Sequence, residues 1–149
     1  MNHGVWDCKT SKSFYEIFKK KLSTYQSDPL NIEAIMDCAL YADHLIEWYC
    51  HEKNEDRKIA KADYVKFRKD YLCLKDINAL CNQIKHFKRL NLNHDIQTDL
   101  TEGCFDPKFF DYNYFQVPTP KIIYIDGSEI NINQLMVDLN KFYEELFKQ

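Results

Sequence analysis

Apolar side chains recur three and four positions apart along the N-terminal part of the chain, which is the spacing of one helix face. The first run predicts a helix from Ser11 to about Tyr25, capped by Thr10 or Ser11. A second helix is expected to start with Asp28 as its N-cap and Pro29 in the first turn. It runs to about Glu52, and its broad apolar stripe predicts a core-facing helix. The stripe comprises Ala34, Ile35, Cys38, Tyr41, Ala42, Leu45, Trp48 and Tyr49.

Two further helical patterns cover residues 59–71 and about 72–90. No proline or glycine separates them, so the sequence leaves open whether they form one kinked helix or two. We expect one side of the second pattern to pack against the stripe of the helix from Ala34 to Trp48. That side is formed by Ile77, Leu80, Ile84 and Phe87.

The periodicity changes after Leu90, where residues 94–101 alternate polar and apolar side chains and predict a short strand. Asp126-Gly127 lies between two short segments that are rich in isoleucine, residues 122–125 and 129–132. This dipeptide indicates a tight hairpin turn because it accepts positive φ angles. Asn131 or Asn133 is expected to cap a last helix. The apolar face of that helix comprises Leu135, Met136, Leu139, Phe142, Tyr143, Leu146 and Phe147.

These patterns predict an α+β fold that is mostly α. It is a four- to five-helix bundle with a small antiparallel β-hairpin or three-stranded sheet before the C-terminal helix. Residues 1–149 are expected to form one domain, in which residues 94–132 make a loop and hairpin insertion. Within that insertion, the aromatic run at residues 109–115 is expected to lie across the body and to expose part of itself to a partner.

Composition supports a folded protein and names no partner. Apolar residues make up 45% of the chain and aromatic residues 15%, against three glycines, which excludes a disordered or low-complexity class. The net charge is −3 and is unevenly distributed, because residues 1–94 are mildly basic and residues 95–149 are acidic.

The six cysteines form no CxxC pair, and the N-terminus lacks the charged and apolar segments of a signal peptide. We therefore expect reduced, mostly buried thiols in a cytoplasmic protein. No apolar run approaches the length that spans a bilayer, so no membrane association is expected. The sequence contains neither a phosphate-binding loop nor a dinucleotide fingerprint, and no cofactor or metal is expected.

The segment Asp76–Arg89 contains the side chains best suited to chemistry. Asn82 and His86 are four residues apart and share a helix face, with Lys85 beside them. An imidazole exchanges a proton near neutral pH and an ammonium offsets phosphate charge, so the three suit phosphodiester chemistry. The alternative is structural: His86 hydrogen-bonds a neighbouring helix and Asn82 satisfies a backbone group.

Three segments carry a resemblance: ALYADHLIEWYC at 39–50, LKDINALCNQIKHF at 74–87, and the late IIYIDGSEINI with FYEELF. Together they resemble a group of uncharacterised bacterial helical proteins over about residues 30–147. That group is similar to the HEPN helical-bundle superfamily, which includes ribonucleases of toxin and phage-defence systems.

The resemblance implies a homodimeric helical bundle and a metal-independent endoribonuclease activity. It assigns His86 to acid–base catalysis, Asn82 to positioning, and Lys85 to the phosphate. HEPN ribonucleases carry an Arg-x4–6-His motif. Residues 79–81, where the Arg falls, are here Ala, Leu and Cys.

Three more residues are assigned to substrate binding, namely Lys88, Arg89 and His44. His44 lies four residues before Trp48 and is placed to face His86 across the helix pair. Its alternative role is that of a half-buried polar group linking two helices.

A basic stretch at residues 57–69 offers a different kind of surface. It is either an RNA-backbone or nucleotide surface, or a solvated helix face interrupted by Asp56, Asp63 and Asp70. The resulting hypothesis is a HEPN-like helical domain associated with RNA or nucleotides, in a toxin or phage-defence system. The alternative is a non-catalytic homodimeric protein-interaction module.

Overall fold

The computed structural model of the chain describes residues 4–85, 97–100, 120–124 and 126–148. Within these residues it has five helices and three short strands, which confirms the predicted class: mostly α, with a small β part before the C-terminal helix. In chain order the elements are α1 (Ser11–Ser27), α2 (Ile32–Lys53), α3 (Arg57–Asp70), α4 (Leu72–Lys85), β1 (Gln97–Leu100), β2 (Pro120–Ile123), β3 (Glu129–Asn131) and α5 (Ile132–Lys148).

The predicted start of α1 is confirmed, and the predicted start of α2 is wrong. Thr10 caps α1 through a capping box in which its hydroxyl accepts from the Ser13 N–H at 3.0 Å. Asp28 does not begin α2, because its own N–H donates to the Tyr25 carbonyl and closes α1. The Asn31 side chain accepts from the Ala34 N–H at 3.1 Å instead, so Asn31 is the N-cap of α2.

The pattern from residue 59 onward forms two helices, with the break at Tyr71. This residue is extended, with φ −116° and ψ 115°, and its N–H donates to the Phe67 carbonyl. Its ring packs against Phe142 of α5 at 4.7 Å between centroids. The break therefore comes with a tertiary contact and needs no proline or glycine. Residues 86–90, the end of the predicted pattern, lie outside the described residues.

The strands form an antiparallel sheet in the order β1-β2-β3. The β2–β3 turn is at Asp126-Gly127, as predicted, and Gly127 has φ +81°. Asn131 caps α5, since its side-chain oxygen accepts from the Gln134 N–H at 3.2 Å. Of the strand predicted at 94–101, the structure describes residues 97–100, which form β1. The aromatic run at 109–115 lies outside the described part of the chain.

The core is formed mainly by α1, α2, α4 and α5, with Ala60 of α3 and Ile122 of β2 added to it. Tyr41 and Trp48 were expected inside it but are half-buried, and they stack on Phe14 of α1 at 5.3 and 4.6 Å between ring centroids. The inward face of α2 is rotated from the predicted stripe, so that Ala39, Asp43, Ile46 and Cys50 lie inside. The largest buried side chains include Phe18, Leu45, Ile46, Leu74, Ile77, Met136 and Tyr143.

Leu45→Ala is expected to lower the free energy of unfolding by about 2–5 kcal/mol, because the side chain is 0% exposed and its removal leaves a cavity. Val137→Ala on α5 is the control, since Val137 is 43% exposed and should change stability by less than about 0.5 kcal/mol. Urea unfolding followed by circular dichroism measures both. Equal losses in the two variants would contradict this assignment of the core.

Candidate functional site

A carboxylate occupies a core position on α2. Asp43 is 2% exposed, and a buried carboxylate has to be paired and hydrogen-bonded to be tolerated. Arg68 of α3 supplies the cation: its Nη2 lies 2.8 Å from Oδ1 of Asp43 and 2.7 Å from Oε1 of Glu47. The guanidinium therefore bridges two carboxylates that are one helical turn apart on α2.

Helix α4 supplies further hydrogen-bond donors to Asp43. The Asn78 amide donates to both carboxylate oxygens of Asp43, at 3.0 and 3.3 Å. Asn82, one turn further along α4, donates to Oδ1 of Asn78 at 3.2 Å. The network thus joins α2, α3 and α4, mainly through side chains, with one further bond from Arg68 Nη2 to the backbone carbonyl of Asp43 at 3.3 Å, and Asn82 forms its outer end.

Glu47 is held in its ionised form. Burial by itself raises the pKa of Glu47, but the hydrogen bonds with His44 and Arg68 and their charges outweigh burial and lower that pKa to about 2. His44 Nδ1 lies 3.4 Å from Oε2 of Glu47. His44 is thus half-buried, and it joins the network through a residue on its own helix, while its assignment to substrate binding stays a prediction.

Asp43, His44 and Glu47 also have the composition of a metal-binding set. Each offers a ligand atom, and these atoms lie within 4.8 Å of one another. However, Nη2 of Arg68 already lies against both carboxylates, so a positive charge occupies the place where a cation would bind. The arrangement is best described as an ion-pair network that joins helices.

The structure brings two of the sequence-predicted site residues, Asn82 and His44, into one network. Lys85 is the exposed last residue of α4. The positioning of His86 by Asn82 stays a prediction. The predicted site residues outside the described part of the chain are His86, Lys88 and Arg89.

Sequence reasoning missed Asn78 altogether and counted Arg68 among the surface cations. The signal was present on α2, because Asp43 lies four residues after Ala39 and three before Ile46, both buried. A carboxylate at such a core position requires a buried cation and amide or hydroxyl donors from the helices around it.

The other side of α3 is exposed and basic. None of its five outward cations takes part in an ion pair within the described residues. Asp56 caps the helix and Asp63 accepts from Asn54 at 2.8 Å, while Asp70 is the last residue. These three acids therefore do not pair with the cations in the middle of the exposed surface. The basic face, as we call it, consists of Arg57, Lys58, Lys61, Lys66 and Lys69.

A cavity of about 720 Å³ lies between α4, the β2–β3 hairpin and α5. Asp76 is 5% exposed at its wall, and the Tyr124 hydroxyl donates to it at 2.6 Å. Four carboxylates and one ammonium line the cavity, so its charge disfavours phosphate. The charged lining residues are Lys75, Asp76, Asp126, Glu129 and Asp138.

Comparison of the chain with family models, with curated proteins and with solved structures found no match. None of the helices in the described ranges combines the length and the apolar character needed to cross a bilayer.

Arg68→Met is expected to lower the free energy of unfolding by about 3–5 kcal/mol, because it leaves the buried Asp43 carboxylate without a cation. The double variant Arg68→Met/Asp43→Leu should lose less than the sum of the two single variants, since both members of the pair are gone. Lys69→Met, the exposed neighbour, is the control. Urea unfolding measures all four, and additive losses would contradict the pairing.

Stability is expected to depend on pH through Glu47. Its pKa is about 2 in the folded chain against an ordinary value of 4.5, so its contribution to stability is complete above about pH 4.5 and is lost as pH falls toward 2. Glu47→Gln should flatten this part of the curve of unfolding free energy against pH. Glu33→Gln is the control, since it removes one exposed carboxyl of the same helix that forms no ion pair within the described residues, and an equal flattening in this variant would contradict the role of Glu47.

Proposed function

We propose that this chain is a HEPN-like helical domain that binds RNA through the basic face of α3. The observation that supports the proposal is the set of five exposed cations on one helix side, unpaired within the described residues. Phosphate contacts by lysine and arginine provide most of the affinity in sequence-independent binding. The net charge of −3 does not oppose this, because salt screens charges beyond about 8–10 Å.

The arrangement of α4 favours binding over cleavage. Arg68 is engaged by two carboxylates and therefore does not take the place of an arginine that holds a scissile phosphate, while the Asn82 amide donates one of its two N–H groups to Asn78. Residues 79–81 of α4 supply no arginine. Acid–base catalysis by His86, with Lys85 at the phosphate, remains a hypothesis, and the His86→Ala variant below tests it.

The proposal places the domain in the cytoplasm, as part of a toxin or phage-defence system. The cysteine chemistry supports a reducing compartment, since the five described cysteines are free. Burial raises the pKa of the Cys38, Cys50 and Cys81 thiols to about 12, which leaves them protonated and unreactive.

A second candidate function is a non-catalytic homodimeric interaction module. It is favoured by exposed apolar side chains at the corner between α3 and α4 and on α5. Tyr71, Leu72 and Val137 are 45%, 69% and 43% exposed. The molar mass in solution, measured by light scattering, tests it directly: a strictly monomeric mass removes the homodimer.

Replacing three lysines of the basic face, Lys61, Lys66 and Lys69, by glutamine is expected to weaken RNA binding about tenfold or more at low salt. The slope of log K against log salt should become shallower by roughly 0.7 for each lost phosphate contact. Fluorescence anisotropy with a labelled RNA measures both quantities.

The matched control carries the same charge change at three exposed lysines on α1 and α5, namely Lys12, Lys20 and Lys141. If the control weakens binding as much as the basic-face variant does, the basic face is not the site. The same RNA is examined on a gel for cleavage. Cleavage that disappears in His86→Ala would extend the proposal to catalysis, and cleavage that persists would exclude His86.

A further inference from the structure

The basic face has a central row of side chains, with two of the five cations at the ends of the row and the other three on its two sides. The row runs along the outside of α3 at spacings of four, three and four residues, so its members form a line. Since 3.6 residues make one turn, Arg57 and Lys61 flank this line on one side and Lys66 on the other. The row consists of Lys58, Ala62, Val65 and Lys69, all exposed.

The middle of this row is short and aliphatic. Ala62 and Val65 carry no hydrogen-bonding group that reads a base edge, whereas readers of the DNA major groove place arginine, lysine, asparagine or glutamine at the centre of the recognition helix. The exposed side of α3 from Arg57 to Asp70 has no aromatic residue, because Tyr64 and Phe67 are turned inward. Proteins that hold single strands rely on such rings for stacking.

We infer that the basic face of α3 binds double-stranded RNA, with the Ala62–Val65 ridge against the shallow minor groove and cations reaching the phosphates on both sides. The inference rests on the proposed RNA binding. RNA duplexes are recognised by shape and by contacts to phosphate and 2′-hydroxyl groups across the wide minor groove. Lysine ammonium groups donate to both kinds of oxygen. A helix of this length spans about 21 Å, enough for several phosphates along each strand.

The test compares three ligands of one sequence: a single-stranded RNA, its duplex of about 16 base pairs, and the corresponding DNA duplex. Fluorescence anisotropy at low salt measures each dissociation constant. The RNA duplex is expected to bind about tenfold or more tightly than either alternative. Tighter binding of the single strand overturns the duplex inference and leaves the proposed function standing, and equal or tighter binding of the DNA duplex overturns the preference for RNA.

A variant further distinguishes the binding of duplex RNA from the binding of single-stranded RNA. Ala62→Trp places a large ring at the centre of the ridge, which blocks close approach of a duplex and gives a single strand a surface on which to stack. We expect about tenfold weaker binding of the RNA duplex and no loss for the single strand. Val137→Trp on α5 is the control and should change neither. If no RNA form binds at low salt, the proposed function fails as well, which distinguishes it from failure of the duplex inference alone.

Discussion

The burial of Asp43 is the constraint on which the arrangement of the helices depends. A carboxylate that is 2% exposed is tolerated only with a cation and with hydrogen-bond donors around it. These come from two other helices, Arg68 on α3 and Asn78 on α4. Rotation of α3 about its axis would withdraw Arg68 and leave the carboxylate unpaired. The same contact that stabilises the bundle therefore determines which side of α3 meets solvent.

This orientation has an electrostatic consequence. With Arg68 inside, the remaining five cations of α3 lie on its exposed side, while four of the five charged residues that line the cavity beside α4 and α5 are carboxylates. Two surfaces of opposite charge thus belong to one small domain. A polyanion is attracted to the first and repelled by the second, so the two surfaces favour one orientation of the molecule toward a polyanion despite a net charge of −3.

Local signals in the sequence were reliable where the deciding contact is itself local. The capping box at Thr10, the Asp126-Gly127 turn and the Asn131 cap each depend on side chains within three residues. The same kind of signal failed at Asp28, because the Asp28 N–H closes α1 and Asn31, three residues further on, caps α2. Local signals left the break at Tyr71 open, since that break comes with a contact to Phe142 rather than with a turn residue.

The sequence by itself determined the class of fold, the order of the elements and the presence of many cations between residues 57 and 69, because periodicity and composition are properties of the chain alone. Only the tertiary structure decided which of those cations is structural. Arg68 and its neighbour Lys69 look alike in the sequence, yet one is paired in the interior and the other is exposed. The difference arises because Arg68 has partners on α2 that are 21 and 25 positions away in the sequence. Only the packing of the helices brings such distant residues into contact.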